Sequence, residues 1–227
     1  MHRNRLNMII RYVGGNVVAD IGTDHAFVPI KLIDENLCEK VIATDVNEGP
    51  LKSAECNISK NCMNDKIELR LGSGLLPLKE SECNTIIIAG MGGELICKIL
   101  TQGELIARAT ECLILQPMNA QDILRKFLNE NGYEIIHEDI TVEGFKVYNL
   151  LVVRSGGSFC ECDEFSYHLP ECLYNHVYFD KLLSKKKREF TKILNGLISA
   201  QNADEEKIRK YKEFLDRIYK IEKHTTK

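Results

Sequence analysis

The sequence predicts an α/β protein: a doubly wound, mostly parallel sheet with an antiparallel edge hairpin, followed by an all-helical, coiled-coil-like C-terminal domain. Three observations carry this. Short apolar runs alternate with helical patterns over the first two-thirds of the 227 residues, as expected for strands covered on both faces by helices. The last two apolar runs, 133–141 and 146–154, are joined by Val142-Glu143-Gly144-Phe145, a hairpin connection. Beyond Ser155-Gly156-Gly157-Ser158 the strand pattern stops and two amphipathic stripes follow.

The elements follow in order. Residues 16–21 read as a buried strand and 25–35 as the helix after it. Strands at 41–45 and 67–71 flank a helix over 49–60, and a strand at 85–89 leads into a helix over 94–100. A strand at 112–116 precedes a helix over 120–131, ended by Gly132. Residues 170–201 contain one long helical pattern, with Leu182, Leu183, Phe190 and Leu194 near helical spacing. Asn202-Ala203-Asp204 breaks it and offers an N-cap, and 205–222 form a second amphipathic helix. The short connection predicts an antiparallel helical hairpin. The expected division is a ligand-binding domain over 1–156 and a helical domain over 157–227.

Hydrophobic residues at 44% and charged residues at 28% exclude wholesale disorder. The best apolar runs, 86–89 and 150–153, fall far short of the ~18 residues a membrane helix needs. No secretory segment follows the N-terminus, so a cytoplasmic protein with no membrane partner is expected. Nine cysteines without a C-x-x-C pair argue against a disulfide framework, and most of the first six read as small buried hydrophobes. Cys160, Cys162, His168, Cys172 and His176 fall within seventeen residues, but their spacing matches no standard zinc pattern, and no metal is expected. Net charge is −3, divided as −5 over residues 1–154 and +2 over 155–227. Lys181, Lys185, Lys186, Lys187, Arg188 and Lys192 concentrate the positive charge. They read either as a solvated helix face or as a phosphate-contacting patch. A monomer is expected, with a dimer compatible.

In an open parallel sheet, ligands bind at the carboxyl ends of the strands, near the point where strand order reverses. The residues there are Asp20-Ile21-Gly22-Thr23-Asp24-His25, Asp45-Val46, Gly72-Ser73-Gly74, Ala89-Gly90-Met91-Gly92-Gly93 and Gln116-Pro117-Met118-Asn119. A carboxylate such as Asp45 at a strand end is placed to accept hydrogen bonds from a ribose diol. Nicotinamide dinucleotides and S-adenosylmethionine both present one, and the first loop separates them. A pyrophosphate wants G-x-G-x-x-G at the helix start. Here Gly22 is followed by Thr-Asp-His-Ala, and Asp20 and Asp24 favour a cationic sulfonium carrying an amino group. Plainer readings stand beside these: Asp45 as a helix cap, Gly72 and Gly74 as turn glycines, His25 as a structural histidine, Gln116 bonded to loop backbone. The joint pattern across five strand ends is more specific than any member.

The segments ADIGTDHAFVPI, ATDVNEGPLKSA, RLGSGL, IAGMGGELI and LILQP resemble, in order and spacing, the bacterial tRNA (adenine-22, N1)-methyltransferase family. The likeness covers residues 1–154, including an N-terminal helix with Arg5 and Leu6, and the tail is similar to the family's coiled-coil domain. The resemblance implies a Rossmann-like, class I enzyme that uses S-adenosylmethionine, releases S-adenosylhomocysteine and methylates N1 of one adenine in tRNA. It implies that Asp20 and Gly22 lie along the methionine part of the cofactor and that Asp45, beside Val46, takes the ribose hydroxyls. It sets Gly72, Ser73 and Gly74 beside the cofactor adenine, and Ala89, Gly90 and Met91 along the methyl-transfer site. Two residues depart from the family pattern: Ser73, where Asp is common, and Met118, where Asn commonly follows Gln-Pro.

Adenine N1 carries an in-plane lone pair and needs no base before attack, whereas the product ring is cationic. Asp24 is the candidate carboxylate for that charge, with His25 or Gln116 holding the base edge. The basic run from Lys181 to Lys192 is the candidate grip on tRNA phosphates. The rival readings are a dinucleotide oxidoreductase, disfavoured by the first loop, a non-catalytic RNA-binding module, and a methyltransferase acting on DNA or protein.

Overall fold

The computed structural model describes residues 3–200 and 204–225; Asn202 and Ala203 of the expected helix break lie outside them. Two compact units divide the chain, Met1–Cys162 and Asp163–Lys227.

In the first unit the order is α1 (Arg3–Ile10), β1 (Val17–Ile21), α2 (Phe27–Asp34), β2 (Lys40–Asp45), α3 (Glu48–Lys60), β3 (Ile67–Leu71), β4 (Thr85–Met91), α4 (Gly93–Gln102), α5 (Glu104–Ala109), β5 (Cys112–Pro117), α6 (Gln121–Glu130), β6 (Tyr133–Glu143) and β7 (Lys146–Ser155). The seven strands form one sheet in the order β3-β2-β1-β4-β5-β7-β6. The first five strands pair in parallel; β7 runs antiparallel to β5, and β6 to β7. Strand order therefore reverses between β1 and β4, which is where such a sheet opens a crevice.

Side-chain alternation builds a core on each face of the sheet. Ala19, Ile21, Ile42, Ile86, Ile88, Leu113 and Leu115 pack with Ile96, Leu100, Ala107, Leu124 and Leu128 of α4, α5 and α6. Val18, Val41, Ala43, Ile87 and Ile114 pack with Met8, Leu32, Ile33, Ala54 and Ile58 of α1, α2 and α3. Asp20, Asp45, Ala89 and Gln116 share the parity of the second set, so four strand-end residues come to one side of the sheet. Across α6 and β6, Arg125 pairs with Glu138 at 2.7 Å, with both side chains almost fully buried. Breaking such a pair strands a charge in the interior and typically costs about 3–5 kcal/mol.

Several elements differ from the sequence expectation. The helix after β1 starts at Phe27, because Asp24 and Ala26 take left-handed backbone ahead of it. α5 was hidden by its length of six residues. Of the first six cysteines only Cys83 is buried; Cys38, Cys97 and Cys112 are half-buried, and Cys56 and Cys62 are exposed. Cys160 exchanges hydrogen bonds with Asn129 of α6, at 2.7 and 2.9 Å, which ties the segment after β7 to the first unit.

The second unit contains α7 (Glu164–His168), a single 3-10 turn (Glu171–Leu173), α8 (Phe179–Ser199) and α9 (Glu205–Thr225). The expected long helix thus begins only at Phe179. Asp163 caps α7, accepting from Phe165 N at 2.9 Å, and also pairs with Arg217, whose guanidinium lies 4.0 Å from the Phe165 ring centre. These partners hold the Asp163 carboxyl down at about 2. Phe190 meets Tyr211 and Phe214, whereas Lys187, one turn earlier on α8, meets Tyr219 and Glu222. The partners run backwards along α9, so the two helices are antiparallel. Asp204 accepts from Lys207 N at 3.0 Å and caps α9. Among the described residues no helix is long and apolar enough to cross a membrane.

Candidate active site

The loop after β1 is built by backbone. Gly22 N and Thr23 N both donate to Thr44 O of β2, at 2.8 and 2.9 Å, and Ala26 N donates to Thr23 O at 2.8 Å. Gly22 has φ +77°, and a Cβ there would stand 2.3 Å from Met91 Cε of β4. Glycine takes this φ without strain, and the flexible end of Met91 fills the space a side chain would occupy. The turn carries Asp24 into the left-handed region at φ 43°, a conformation aspartate tolerates better than most residues.

Beneath this loop Asp20 is 5% exposed. Among the described residues no cation pairs with it. Burial pushes its carboxyl up to about 6; the Thr23 hydroxyl pulls the other way, and the charge of Asp45 adds to the rise. Asp45 is buried at the end of β2 and accepts from Asn47 N at 2.8 Å. Asn47, not Asp45, is the N-cap residue of α3, so the capping reading of Asp45 does not hold. The Thr44 hydroxyl is buried with no partner among the described residues.

Past β3, Gly72 N donates to Asp45 O at 2.9 Å, which draws this loop to β2, and Ser73 is exposed beside it. Gly72 is packed under Pro77 and Gly74 against Ile99, so both have packing reasons for lacking a side chain. At the end of β4 the pairing with β5 slips between Ala89 and Met91. Gly90 (φ +81°) forms the slip, and Met118 N donates to Met91 O at 2.8 Å. Gln116 is fully buried; its Nε2 donates to Pro117 O at 3.2 Å and reaches Met118 Sδ at 3.7 Å, while its Oε1 has no partner among the described residues. Asp24 and His25 are exposed, with His25 Nε2 3.7 Å from Asp24 Oδ2. Val46 is exposed beyond Asp45.

One residue at this edge escaped the sequence reading of function. α1 brings Arg5 to the end of β4 and β5. Its guanidinium lies 5.6 Å from the Tyr148 ring centre and 3.9 Å from Met118 Sδ, and a Cβ on Gly90 would sit 3.9 Å from it. No carboxylate pairs with this guanidinium among the described residues. Its partners are more than a hundred residues away in sequence, so only the proximity of arginine to the first helix start hinted at it.

In the second unit the six basic residues of α8 do not form one face. Lys186 is buried, 3.0 Å from Glu189, and Lys187 is paired with Glu222 at 2.7 Å. Lys186 serves helix packing, which corrects its reading as a phosphate contact; Lys187 is half-buried and turned about 120° from Lys181 around the helix. Lys181, Arg188 and Lys192 are exposed, and Lys185 is half-buried beside Glu189. At 3.6 residues per turn, Lys181, Lys185, Arg188 and Lys192 fall within an arc of about 60°. Among the described residues no three His, Cys, Asp or Glu side chains group as a metal site would need.

The raised Asp20 carboxyl has a stability consequence. Its contribution is fully present below the ordinary carboxylate range near 4 and is lost as pH rises through about 6. At pH 7.5 the ionised, buried group therefore destabilises the ligand-free protein, by up to about 3 kcal/mol for a shift of this size. Asp20→Asn should stabilise the free protein by about 1–3 kcal/mol at pH 7.5 and by much less at pH 4. Urea unfolding at the two pH values measures this, and an Asn variant less stable than the parent at pH 7.5 would contradict it.

A methyltransferase-domain family model matches residues 2–151. The tRNA (adenine(22)-N(1))-methyltransferase of Bacillus subtilis is 38% identical over 153 residues, 67% of this chain and 64% of that protein. The chain thus aligns with under two thirds of the length of the curated relatives it matches. Over almost its whole length it is similar to a Streptococcus pneumoniae structure described as a candidate tRNA (m1A22) methyltransferase, with a TM-score of 0.86 and 31% identity over 97% of this chain and 99% of that one. The Streptococcus protein in complex with S-adenosyl-L-methionine gives a TM-score of 0.82 and 34% identity over 95% and 100% of the two chains. With its first unit matched by the methyltransferase model and its full length matched by these structures, the chain belongs to the bacterial tRNA (m1A22) methyltransferase family of class I methyltransferases.

Proposed function

We propose that this chain transfers a methyl group from S-adenosylmethionine to N1 of an adenine in tRNA, at position 22 by its kinship, and that it does so in the cytoplasm. The observation that carries the reading is the buried Asp20 carboxylate without a cation, at the strand reversal and under a glycine turn. An amino group from a ligand is what this carboxylate lacks. The second oxygen of Asp45 adds acceptor capacity beside it. S-adenosylmethionine fits this donor set, with Asp20 and Gly22 along its methionine part, Asp45 and Val46 at the ribose, and Gly72, Ser73 and Gly74 at the adenine. A dinucleotide pyrophosphate would meet two carboxylates instead.

When bound, S-adenosylmethionine supplies a methyl carbon on a sulfonium, and its transfer to N1 leaves S-adenosylhomocysteine. Ala89, Gly90 and Met91 border the place where N1 must lie in line with that carbon. Holding the base there is most of the work, since proximity and orientation supply up to ~7–11 kcal/mol. N1 is on the Watson–Crick edge, so the adenine must leave any pairing first. Asp24, exposed at the loop tip, stabilises the positive charge that develops on the ring. His25 and Gln116 hold the base edge. We read α8 and α9 as a coiled-coil-like tRNA-contacting domain, with Lys181, Lys185, Arg188 and Lys192 facing phosphates.

The test is methyl transfer from labelled S-adenosylmethionine to unmodified tRNA, with DNA and protein controls, followed by nucleoside identification. N1-methyladenosine from tRNA alone is the expected product; label appearing only in DNA or protein would overturn the substrate assignment. Joint change of Lys181, Arg188 and Lys192 to Ala should weaken tRNA binding at least tenfold at low salt. It should also flatten the logarithmic salt dependence by about 0.7–0.9 for each phosphate no longer neutralised. An unchanged slope would return this face to a solvated one.

A further inference from the structure

Resting on that reading, we propose that the tip of the β6–β7 hairpin is a substrate arm. Phe145 stacks on an unpaired base next to the extruded adenine, and Arg5 and Lys146 hold the phosphates that flank it. The topology puts the tip at the right edge. β5 pairs with β7 with Leu115 opposite Leu151, which brings Pro117 level with Asn149. Residues 146–148 therefore run past the end of β5, by roughly 10 Å at the rise of a strand. β6 and β7 remain paired out to Glu143 and Lys146, so the projection is a braced ribbon.

The chemistry at the tip is that of single-strand recognition. Phe145 is fully solvent-exposed and Lys146 is exposed next to it. An aromatic ring with cations at its side is the usual platform for an unstacked base and its phosphates. The start of α1 is tied to the ribbon: Arg5 N donates to Glu143 Oε1 at 2.8 Å, and Asn4 Nδ2 to Val142 O at 3.3 Å. These bonds hold the Arg5 guanidinium over Tyr148 at the foot of the arm, next to Gly90 and Met118. It is half-buried and has only a thioether as hydrogen-bond partner among the described residues. An anion completes it. The acidic groups Asp20 and Asp45 lie on β1 and β2, while Arg5 stands by β4, β5 and β7. Glu143 is engaged by the Arg5 backbone N–H and not by its guanidinium, so the anion assigned is a substrate phosphate, with the cofactor carboxylate as the competing ligand that the variants below separate.

The sequence contains no tryptophan, so Phe145→Trp installs a single reporter in the full-length protein. Its emission should quench when unmodified tRNA is added and stay unchanged with S-adenosylmethionine alone. Phe145→Ala should raise the Kd for tRNA roughly ten- to a hundredfold, as loss of one base stack does, with Phe145→Trp restoring it. Arg5→Ala should lower the salt slope of tRNA binding by about 0.7–0.9 and leave S-adenosylmethionine affinity by calorimetry intact. If Arg5→Ala instead weakens the cofactor and spares the salt slope, the anion is the cofactor carboxylate and the phosphate assignment falls. Flat Trp emission and unchanged affinity of Phe145→Ala, in a protein that methylates tRNA, overturn the arm alone. Failure of the parent protein to bind tRNA overturns the arm together with the proposed function.

Discussion

A carboxylate buried without a cation of the protein's own, at the point where strand order reverses, is the constraint around which the carboxyl edge of this sheet is organised. Asp20 reaches that position because β1 is central, with β2 on one side and β4 on the other. The same alternation that packs Val18 against α1–α3 turns Asp20 toward the crevice. The loop above closes through two backbone hydrogen bonds to Thr44 and through a glycine pressed against Met91. Among the described residues no side chain is left to neutralise the acid. Burial lifts its carboxyl to about 6, a departure of the kind that concentrates at functional sites. Such a group is unfavourable in the free protein and becomes favourable when a cationic ligand arrives.

The edge is divided by charge. Asp20, Asp45 and Asp24 stand on β1, β2 and the first loop, and the Arg5 guanidinium stands beside β4, β5 and β7, where Glu143 is engaged by the Arg5 backbone N–H. A cationic small molecule and a polyanionic substrate have opposite requirements, and this division satisfies both without mixing them. Gln116 and Met118 lie between, linked by a 3.7 Å contact and continuing to Arg5 at 3.9 Å. The second unit separates its functions in another way. Its aromatic cluster of Phe165, Phe190, Tyr211 and Phe214, with Lys187 and Arg217 spanning the helices, makes the packing. That leaves a narrow stripe of exposed charge on α8.

Much of this was legible in the sequence for a local reason. Buried parallel strands are continuous apolar runs, and residues such as Asp20, Asp45 and Gln116 stand out at their ends. The antiparallel hairpin announced itself through Gly144. What escaped was set by distance or by geometry within one element. Arg5 acquires its place from contacts with Tyr148 and Met118 that no local pattern encodes. Lys186 was visible in principle, since it falls four residues after Leu182 and four before Phe190 on the buried stripe. A run of adjacent basic residues conceals that spacing. The long helix expected from residue 170 fails because Pro170 and the 3-10 turn after it interrupt the helical pattern. An apolar or helical context does not by itself bury a cysteine: helix α3 turns Cys56 to solvent, and Cys62 follows its C-terminus with φ 55°.

The most direct test of the central claim is titration of the Asp20 carboxyl itself. Carbon-13 NMR of aspartate-labelled protein, with the signal assigned by its loss in Asp20→Asn, follows the group in the free protein and in the presence of S-adenosylmethionine. An apparent pKa of about 6 in the free protein, falling when the ligand is bound, is the predicted result. A value near 4 in the free protein, unmoved by the ligand, would mean that Asp20 is neither stranded nor waiting for a cation.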